Sequence, residues 1–395
     1  MLFLKSIKIR VLGGGGMSVI RVFEAFSGVG AQRMALRNIG VDHEVVGISE
    51  IDKFAIRSYD AIHGNTTNFG DISKINPKTL PDFDLFTYSF PCQDLSVAGK
   101  RQGMVKEVTR SGLLYECEKV IETKLPKYLL LENVKNLVSK RFKPQFDEWL
   151  SYLEDLGYTN YWQVLNAKDY GVPQNRERVF VVSILGEHKT YAFPNPIPLT
   201  RAVKDILEDE VDERYYINKQ WHFTQPHEQK HDNNEIAQID GINYKATRSV
   251  GDINKLCRTL DTMGGGQREP KVLIEPTINY KGKKVKLPCI CASRGCNPKN
   301  TSDRTIGVPT EQMLEINTRG TSNTLTTVQK DNYVIEKKYR VRKLTPLECW
   351  RLMGFSDEDF NKAKSVGVSN SQLYKQAGNS IVVPVLEGIF SELFK

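Results

Sequence analysis

The chain has 395 residues, 40% of them hydrophobic and 26% charged, with a formal net charge of +8. That is a globular balance, enough for one large or two ordinary domains. No run of about 18 apolar residues occurs, which excludes a membrane-spanning helix and a membrane partner. Seven cysteines, at 92, 117, 257, 289, 291, 296 and 349, are odd in number and include no CxxC pair. They read as reduced thiols of a cytoplasmic protein, not a disulfide framework.

Residues 1–18 are expected to lie outside the fold, as a disordered tail or a mis-assigned start. Lys5, Lys8 and Arg10 interrupt any signal-peptide core. The four glycines before Met17 would be encoded by GGN codons, as in a bacterial ribosome-binding site, so Met17 is a candidate true start. Intact mass of natively expressed protein that includes residues 1–16 would rule this out.

Residues 19–186 alternate strand-like and helix-like pieces. VIRVFEAF (19–26) is apolar and β-branched, and AQRMALRNIG follows it as a helix with Gly40 as its stop. EVVGISE, DLFTYSF (84–90), KYLLLENV (127–134) and RVFVVSIL (178–185) are further strands, and LLYECEKVIETKL is a helix. The alternation predicts an α/β fold, a doubly wound, mostly parallel sheet with helices on both faces. Residues 187–340 break the pattern with prolines, Gly264–Gly266 and many Asn and Thr, and read as a smaller, loop- and strand-rich domain. Residues 341–395 return to helix and strand patterns and are expected to rejoin the first domain. Charge is uneven: residues 241–340 hold 18 Lys and Arg against 9 Asp and Glu, and residues 201–240 hold 5 against 10. The basic block fits a polyanion-facing surface as well as it fits a solvated face.

Chemistry-bearing residues fall at strand ends. FSGVG (26–30) is a glycine turn that lets backbone approach a ligand, though a tight turn alone explains it equally. Glu50 ends the second strand and Asp71 follows in GDI, the layout of an adenosine-containing cofactor site. Cys92 sits in the polar, proline-restrained segment SFPCQDLS, just past a strand end. A lone Cys is ordinarily a small buried hydrophobe, and a thiol of pKa about 8.5 needs help to become a nucleophile. Glu132, directly after three leucines, is an acid at a neighbouring strand end; a buried, loop-capping Glu is the plainer reading. Gln174, Arg176 and Arg178 alternate in QNRER and form a row of donors if that segment is extended.

In order, FSGVG, Glu50, GDI (70–72), FPCQDLS (90–96), RSGLL (110–114), ENV (132–134), QNRER (174–178), RKLTPLECWRLMGF (342–355) and QAGNSIVVPV (376–385) resemble the motifs of the DNA cytosine-5 methyltransferases, bacterial or phage enzymes of restriction-modification type. The resemblance runs from residue 21 to the end of the chain. It implies an S-adenosylmethionine-dependent methyltransferase fold, with 19–186 as catalytic and cofactor domain and 187–340 as target-recognition domain. It implies that Cys92 attacks carbon 6 of a flipped-out cytosine, with Glu132 on N3 and the exocyclic amine, and Arg176 and Arg178 beside the base. Carbon 5 then takes a methyl group from S-adenosyl-L-methionine, leaving S-adenosyl-L-homocysteine; no metal is needed. Phe26, Ser27, Gly28, Gly30, Glu50, Ile51, Asp71, Ile72, Pro91, Asn379, Ser380 and Val382 are the implied cofactor contacts. Gln93, Ser96, Gln174, Arg268 and Thr326 are candidate DNA contacts. Implied partners are double-stranded DNA and, without a physical complex, a cognate restriction endonuclease; the family expectation is a monomer. Phe90 stands where many members have a second proline, and the family's seventh motif is not identifiable.

Three rival readings stand beside this one. A transfer-RNA methylase on the same scaffold is disfavoured by the long recognition region. A catalytically silent DNA-binding homologue should lack Cys92 or Glu132, and both are present. A zinc module from Cys289, Cys291 and Cys296 with His222, His227 and His231 lacks a familiar spacing.

Overall fold

The structure is a computed structural model describing residues 19–91, 110–224, 234–242, 245–263, 268–275, 277–280, 283–286, 289–300, 305, 309–316, 333–335 and 339–395. Residues 1–18, Cys92, Gln93, Ser96 and Thr326, all singled out by the sequence, lie outside these. The chain divides into two compact units. One holds the residues up to 201 together with 259–265 and 346–395; the other holds 202–258 and 266–345. The sequence pattern had set the recognition region at 187–340; the contacts set off a shorter stretch and give 259–265 to the first unit.

The first unit is built on a six-stranded sheet. In chain order its elements are β1 (Ile20–Ala25), α1 (Ala31–Ile39), β2 (His43–Ser49), α2 (Lys53–His63), β3 (Leu85–Tyr88), α3 (Leu114–Lys124), β4 (Tyr128–Val134), α4 (Lys143–Asp155), β5 (Tyr158–Asn166) and β6 (Glu177–Leu185). The sheet order is β2-β1-β3-β4-β6-β5. β2, β1, β3 and β4 are parallel, linked by helices or long connections, while β6 runs antiparallel to both β4 and β5. Only residues 167–176 join β5 to β6, too few for a crossover. β6 therefore begins at the edge where the parallel strands end, with Val134 opposite Arg178.

Both faces of the sheet are covered, as the near-continuous apolar strands require. Phe23, Phe86, Tyr88, Leu129, Leu131, Val179 and Val181 share one core with Cys117, Val120 and Ile121 of α3 and Phe146, Trp149 and Leu153 of α4. Alternate residues Val22, Glu24, Leu85, Thr87, Leu130, Glu132, Phe180 and Val182 are buried on the opposite face. α1 ends at Gly40, whose φ of 74° lets its N–H reach the carbonyls of Arg37 and Leu36. α2 starts on Asp52, whose carboxylate accepts from the Phe54 and Ala55 amides.

Among the described residues the second unit holds mostly short strands, with the helical turn α5 (Lys245–Arg248) and 3-10 turns at Val203–Ile206 and Glu213–Tyr215. Its largest sheet has the order β16-β10-β9-β8-β7, formed by β7 (Trp221–Phe223), β8 (Glu235–Ile239), β9 (Ser249–Gly251), β10 (Lys271–Ile274) and β16 (Arg340–Lys343). Ala237, Ile239, Val250, Leu273 and Val341 make its small core. β11 (Thr277–Tyr280) and β12 (Lys283–Lys286) pair as a hairpin, and β13 (Cys289–Cys296) is flanked by β14 (Glu311–Ile316) and β15 (Tyr333–Ile335). The chain then returns to the first unit as α6 (Pro346–Arg351), α7 (Asp357–Ser365), α8 (Asn370–Asn379) and α9 (Val383–Leu393). There α9 packs on α1 and α7 on α2. Among the described residues no helix is long and apolar enough to cross a membrane.

Candidate functional site

The glycine turn after β1 is held in an uncommon backbone state. Phe26, Gly28 and Gly30 have φ of 55°, 56° and 80°, and Phe26 is one of few non-glycine residues there. The Phe26 amide donates to the Ser49 carbonyl at 2.8 Å, and the Gly28 amide donates to Glu50 Oε2 at 2.9 Å. Glu50 Oε1 accepts from the Ile51 and Asp52 amides, both at 2.8 Å. One carboxylate thus ties the turn to the end of β2. Beside it the Ile51 side chain is 74% exposed, an apolar surface standing at a strand end. Asp71 Oδ1 accepts from the Ser73 amide and hydroxyl, and that hydroxyl bond is the main reason its carboxyl is held below the ordinary value. Ser27 is 3% exposed and its hydroxyl has no partner among the described residues. A strand end with a presented apolar side chain and, among the described residues, an unpartnered buried hydroxyl suits a ligand carrying an aromatic ring and polar groups.

The second cluster lies where β4 ends and β6 begins. Glu132 is 9% exposed, and Arg178 Nε stands 3.1 Å from its Oε1. Burial raises the Glu132 carboxyl, and the charges of Arg178 and then Arg176 pull it back down. Next along the strand, Asn133 Nδ2 donates to the Phe90 carbonyl at 3.0 Å. That bond pins the chain two residues before Cys92 to the residue after Glu132. Cys117 makes the contrast: fully buried in α3, its thiol is pushed far above the ordinary value by desolvation, which leaves it inert.

Gln174 is corrected by the structure. It lies just before β6 begins at Glu177, and both Gln174 and Arg176 turn to the Leu260 backbone. Gln174 is 0% exposed; its amide donates to the Leu352 carbonyl at 2.7 Å, and its Oε1 accepts from the Leu260 amide at 3.2 Å. It joins protein segments and is not available to DNA. Arg176 is 4% exposed and donates to the carbonyls of Leu260, Gly378 and Ser380 at 2.9, 3.0 and 2.8 Å. It reaches Glu132 through charge, and only Arg178 makes the direct pair.

The remaining candidates divide by exposure. Asn379 is exposed at the end of α8, Ser380 is half-buried as its cap, and Val382 is buried at the start of α9. The Ile72 side chain sits in the core. Pro91 is half-buried, and Arg268 of the second unit is exposed. Residues that sequence reasoning missed are Asn133, whose role needs the position of Phe90, and Glu24, Tyr59 and His63, which pack under the glycine turn. Among the described residues no three His, Cys, Asp or Glu side chains gather to hold a metal.

Comparison with known proteins agrees on a single family. A model described as C-5 cytosine-specific DNA methylase matches residues 20–395. The type II methyltransferase M2.ScrFI of Lactococcus lactis subsp. cremoris is 39% identical, over 95% of this chain and 99% of its own. The orphan methyltransferase M.SPBetaI of Bacillus phage SPbeta is 37% identical, over 95% and 98%. Among solved structures, an S. pombe Dnmt2 methyltransferase superposes with a TM-score of 0.62 at 19% identity, covering 94% of this chain and 97% of that one. An E. coli prophage-encoded putative DNA modification methyltransferase does so at 0.57 and 16%, covering 95% and 100%. At such identities the two structures establish the fold alone.

Proposed function

The chain belongs to the C-5 cytosine-specific DNA methylase family and is a DNA (cytosine-5-)-methyltransferase, and on that premise we propose that it methylates a flipped-out cytosine in a specific duplex sequence through a covalent Cys92 adduct. The observation that carries this reading is the buried Glu132–Arg178 pair, with the neighbouring Asn133 holding the chain two residues before Cys92.

The Cys92 thiolate attacks carbon 6 of the base. Burial raises the Glu132 carboxyl and so favours a proton shared with N3, while its other oxygen would accept from the exocyclic amine. The new sulfur–carbon 6 bond opens the C5=C6 double bond and leaves its electron pair on carbon 5, which takes the methyl group; loss of the carbon 5 proton to a base then expels the Cys92 thiolate and restores the double bond. When bound, S-adenosyl-L-methionine supplies the electrophilic methyl group. Ile51 would offer apolar surface to its adenine, Glu50 would hold the ribose, and the turn around Ser27 and Gly28 would take its polar end. The unsatisfied Ser27 hydroxyl and the exposed Ile51 fit that ligand. Extracting the base costs a few kcal/mol, offset by protein contacts. We assign recognition to residues 187–340, with Arg268 among the base- or phosphate-facing side chains and 241–340 as the basic surface. The enzyme acts as a monomer, in the cytoplasm, with no bound restriction endonuclease required.

Bisulfite sequencing of DNA from cells expressing the gene tests activity and target together; protected cytosines should recur in one short sequence. Purified protein should methylate duplex DNA and leave RNA unmodified. Cys92→Ala should abolish turnover and retain DNA binding, and turnover by that variant would refute the covalent route.

A further inference from the structure

The glycine turn is strained, so something must hold it. Gly28 and Gly30 take positive φ readily, but Phe26 at φ 55° is a non-glycine residue there, and such a conformation persists only where the surroundings over-determine it. Two holds come from β2 and its end, through the Ser49 carbonyl and Glu50. A third comes from the last turn of α2. His63 Nε2 lies 3.1 Å from the Val29 carbonyl oxygen. Burial, with the Arg33 charge second, holds the imidazole down to about 3, so it is neutral at any physiological pH. A neutral ring facing a carbonyl through Nε2 carries its proton there and donates.

The ring of Tyr59 packs against His63 with centroids 4.7 Å apart. The Tyr59 hydroxyl donates to Glu24 Oε2 at 2.7 Å, and Arg33 Nη1 approaches the same hydroxyl at 3.5 Å. α2 thus grips β1 through Tyr59 and the turn through His63. The floor is close: a Cβ on Gly30 would stand 2.4 Å from His63 Nε2 and 2.7 Å from the Tyr59 ring. Glu24 itself is fully buried, and its second oxygen has no partner among the described residues.

We propose that His63 and Tyr59 are positioning residues for the cofactor: from beneath, they fix the Val29 carbonyl and the path of the chain at Gly30, so that the turn is preorganised for S-adenosylmethionine. Neither touches a reacting atom. The proposal rests on the cofactor reading given above. Removing one hold lets the turn populate other conformations when empty, and the ligand must then select the productive one.

The test binds S-adenosyl-L-homocysteine to the purified full chain by calorimetry without DNA, and measures kcat with KM for each substrate. His63→Phe keeps a ring and loses the donor; Tyr59→Phe loses the hydroxyl. Each should weaken S-adenosyl-L-homocysteine and raise KM for S-adenosyl-L-methionine by about three- to tenfold, the scale of one hydrogen bond. KM for DNA should stay within about twofold, since one bond beneath the turn is not a DNA contact. His63→Gln, whose amide reaches toward the same carbonyl, should recover most of the loss. Unchanged cofactor affinity in His63→Phe overturns the proposal. So does an equal loss of both substrates that His63→Gln does not recover, the pattern of general misfolding. Wild-type protein that binds no S-adenosyl-L-homocysteine defeats the cofactor reading itself, a separate result.

Discussion

Two buried glutamates face the same side of the sheet, and their surroundings differ. Glu24 on β1 has a hydroxyl for company: Tyr59 donates to it, and the Arg33 guanidinium acts at longer range. Burial dominates, and its carboxyl is raised from 4.5 to about 7. Glu132 on β4 is also raised by burial, but Arg178 meets it at 3.1 Å and Arg176 adds a second positive charge. The difference lies in strand direction. β1 has parallel neighbours on both sides, while β4 has β6 running back toward it, which delivers Arg178 to the edge where β4 finishes. A sheet of one direction throughout would leave the second glutamate as ill-matched as the first. The half whose countercharge stays at longer range props the glycine turn; the half with a directly paired one is where the proposed mechanism sets the base.

The sharpest way to break this contrast is Glu132→Gln, which keeps the shape and removes the proton that burial makes available. Turnover should fall by at least about a hundredfold, the usual scale for a general acid or base, with the melting temperature little changed. Near-normal turnover would mean that the β4 carboxyl is only a buried structural group.

Glu24→Gln should act on stability instead. An acid whose pKa rises on folding holds its proton more tightly when folded. Its contribution is therefore full below 4.5 and is lost as pH climbs through about 7. That shift corresponds to about 3 kcal/mol. The variant should be more stable than wild type at pH 8 and should lose its advantage by pH 4.5. Urea denaturation at several pH values measures this, and parallel curves for the two proteins would contradict it.

A smaller effect is expected at Asn133. Asn133→Ala frees the Phe90 carbonyl and should lower kcat by about tenfold through misplacement of the nucleophile's segment. Affinity for S-adenosyl-L-homocysteine should not change, because the glycine turn lies on other strands. An equal loss in both would show that the two halves are not separable. The exposed Lys135–Glu177 pair, at 2.8 Å beside the buried one, sets the baseline. Lys135→Ala should cost no more than about 0.5 kcal/mol in thermal or urea unfolding.

Five of the six strands were legible as apolar, β-branched runs, and Glu50 and Glu132 stand at or near strand ends as their place in the sequence implied, whereas Asp71 caps a 3-10 turn between α2 and β3. β5 was not. It is an edge strand, burying little beyond Tyr158 and Leu165, so its residues follow no clean alternation. The antiparallel course of β6 was hidden for a related reason: direction is set by connection length, and β5 had to be seen before the short link could be measured. The protein partners of Gln174 and Arg176 were not legible, because a donor-rich segment looks alike whether it faces a polyanion or protein carbonyls. Which of these holds depends on Leu260, Leu352 and Ser380, far away in the chain. His63 carried no signal at all; an amphipathic helix ending in histidine is ordinary until the Val29 carbonyl is placed beside it.

Those carbonyls have a consequence for how the molecule is made. Arg176 is satisfied by groups as far as 204 residues downstream, and Gln174 by Leu352. Until synthesis passes residue 380, a buried guanidinium and a buried amide would sit without these partners, a cost the chain avoids by staying open there. The first unit is therefore finished last. Its opening two hundred residues can form strands and helices as they emerge, but closure waits for the C-terminal helices, as expected of a fold whose decisive contacts are distant in sequence. A fragment ending near residue 255 should accordingly be open to proteolysis around residues 171–178, where the full-length protein is protected.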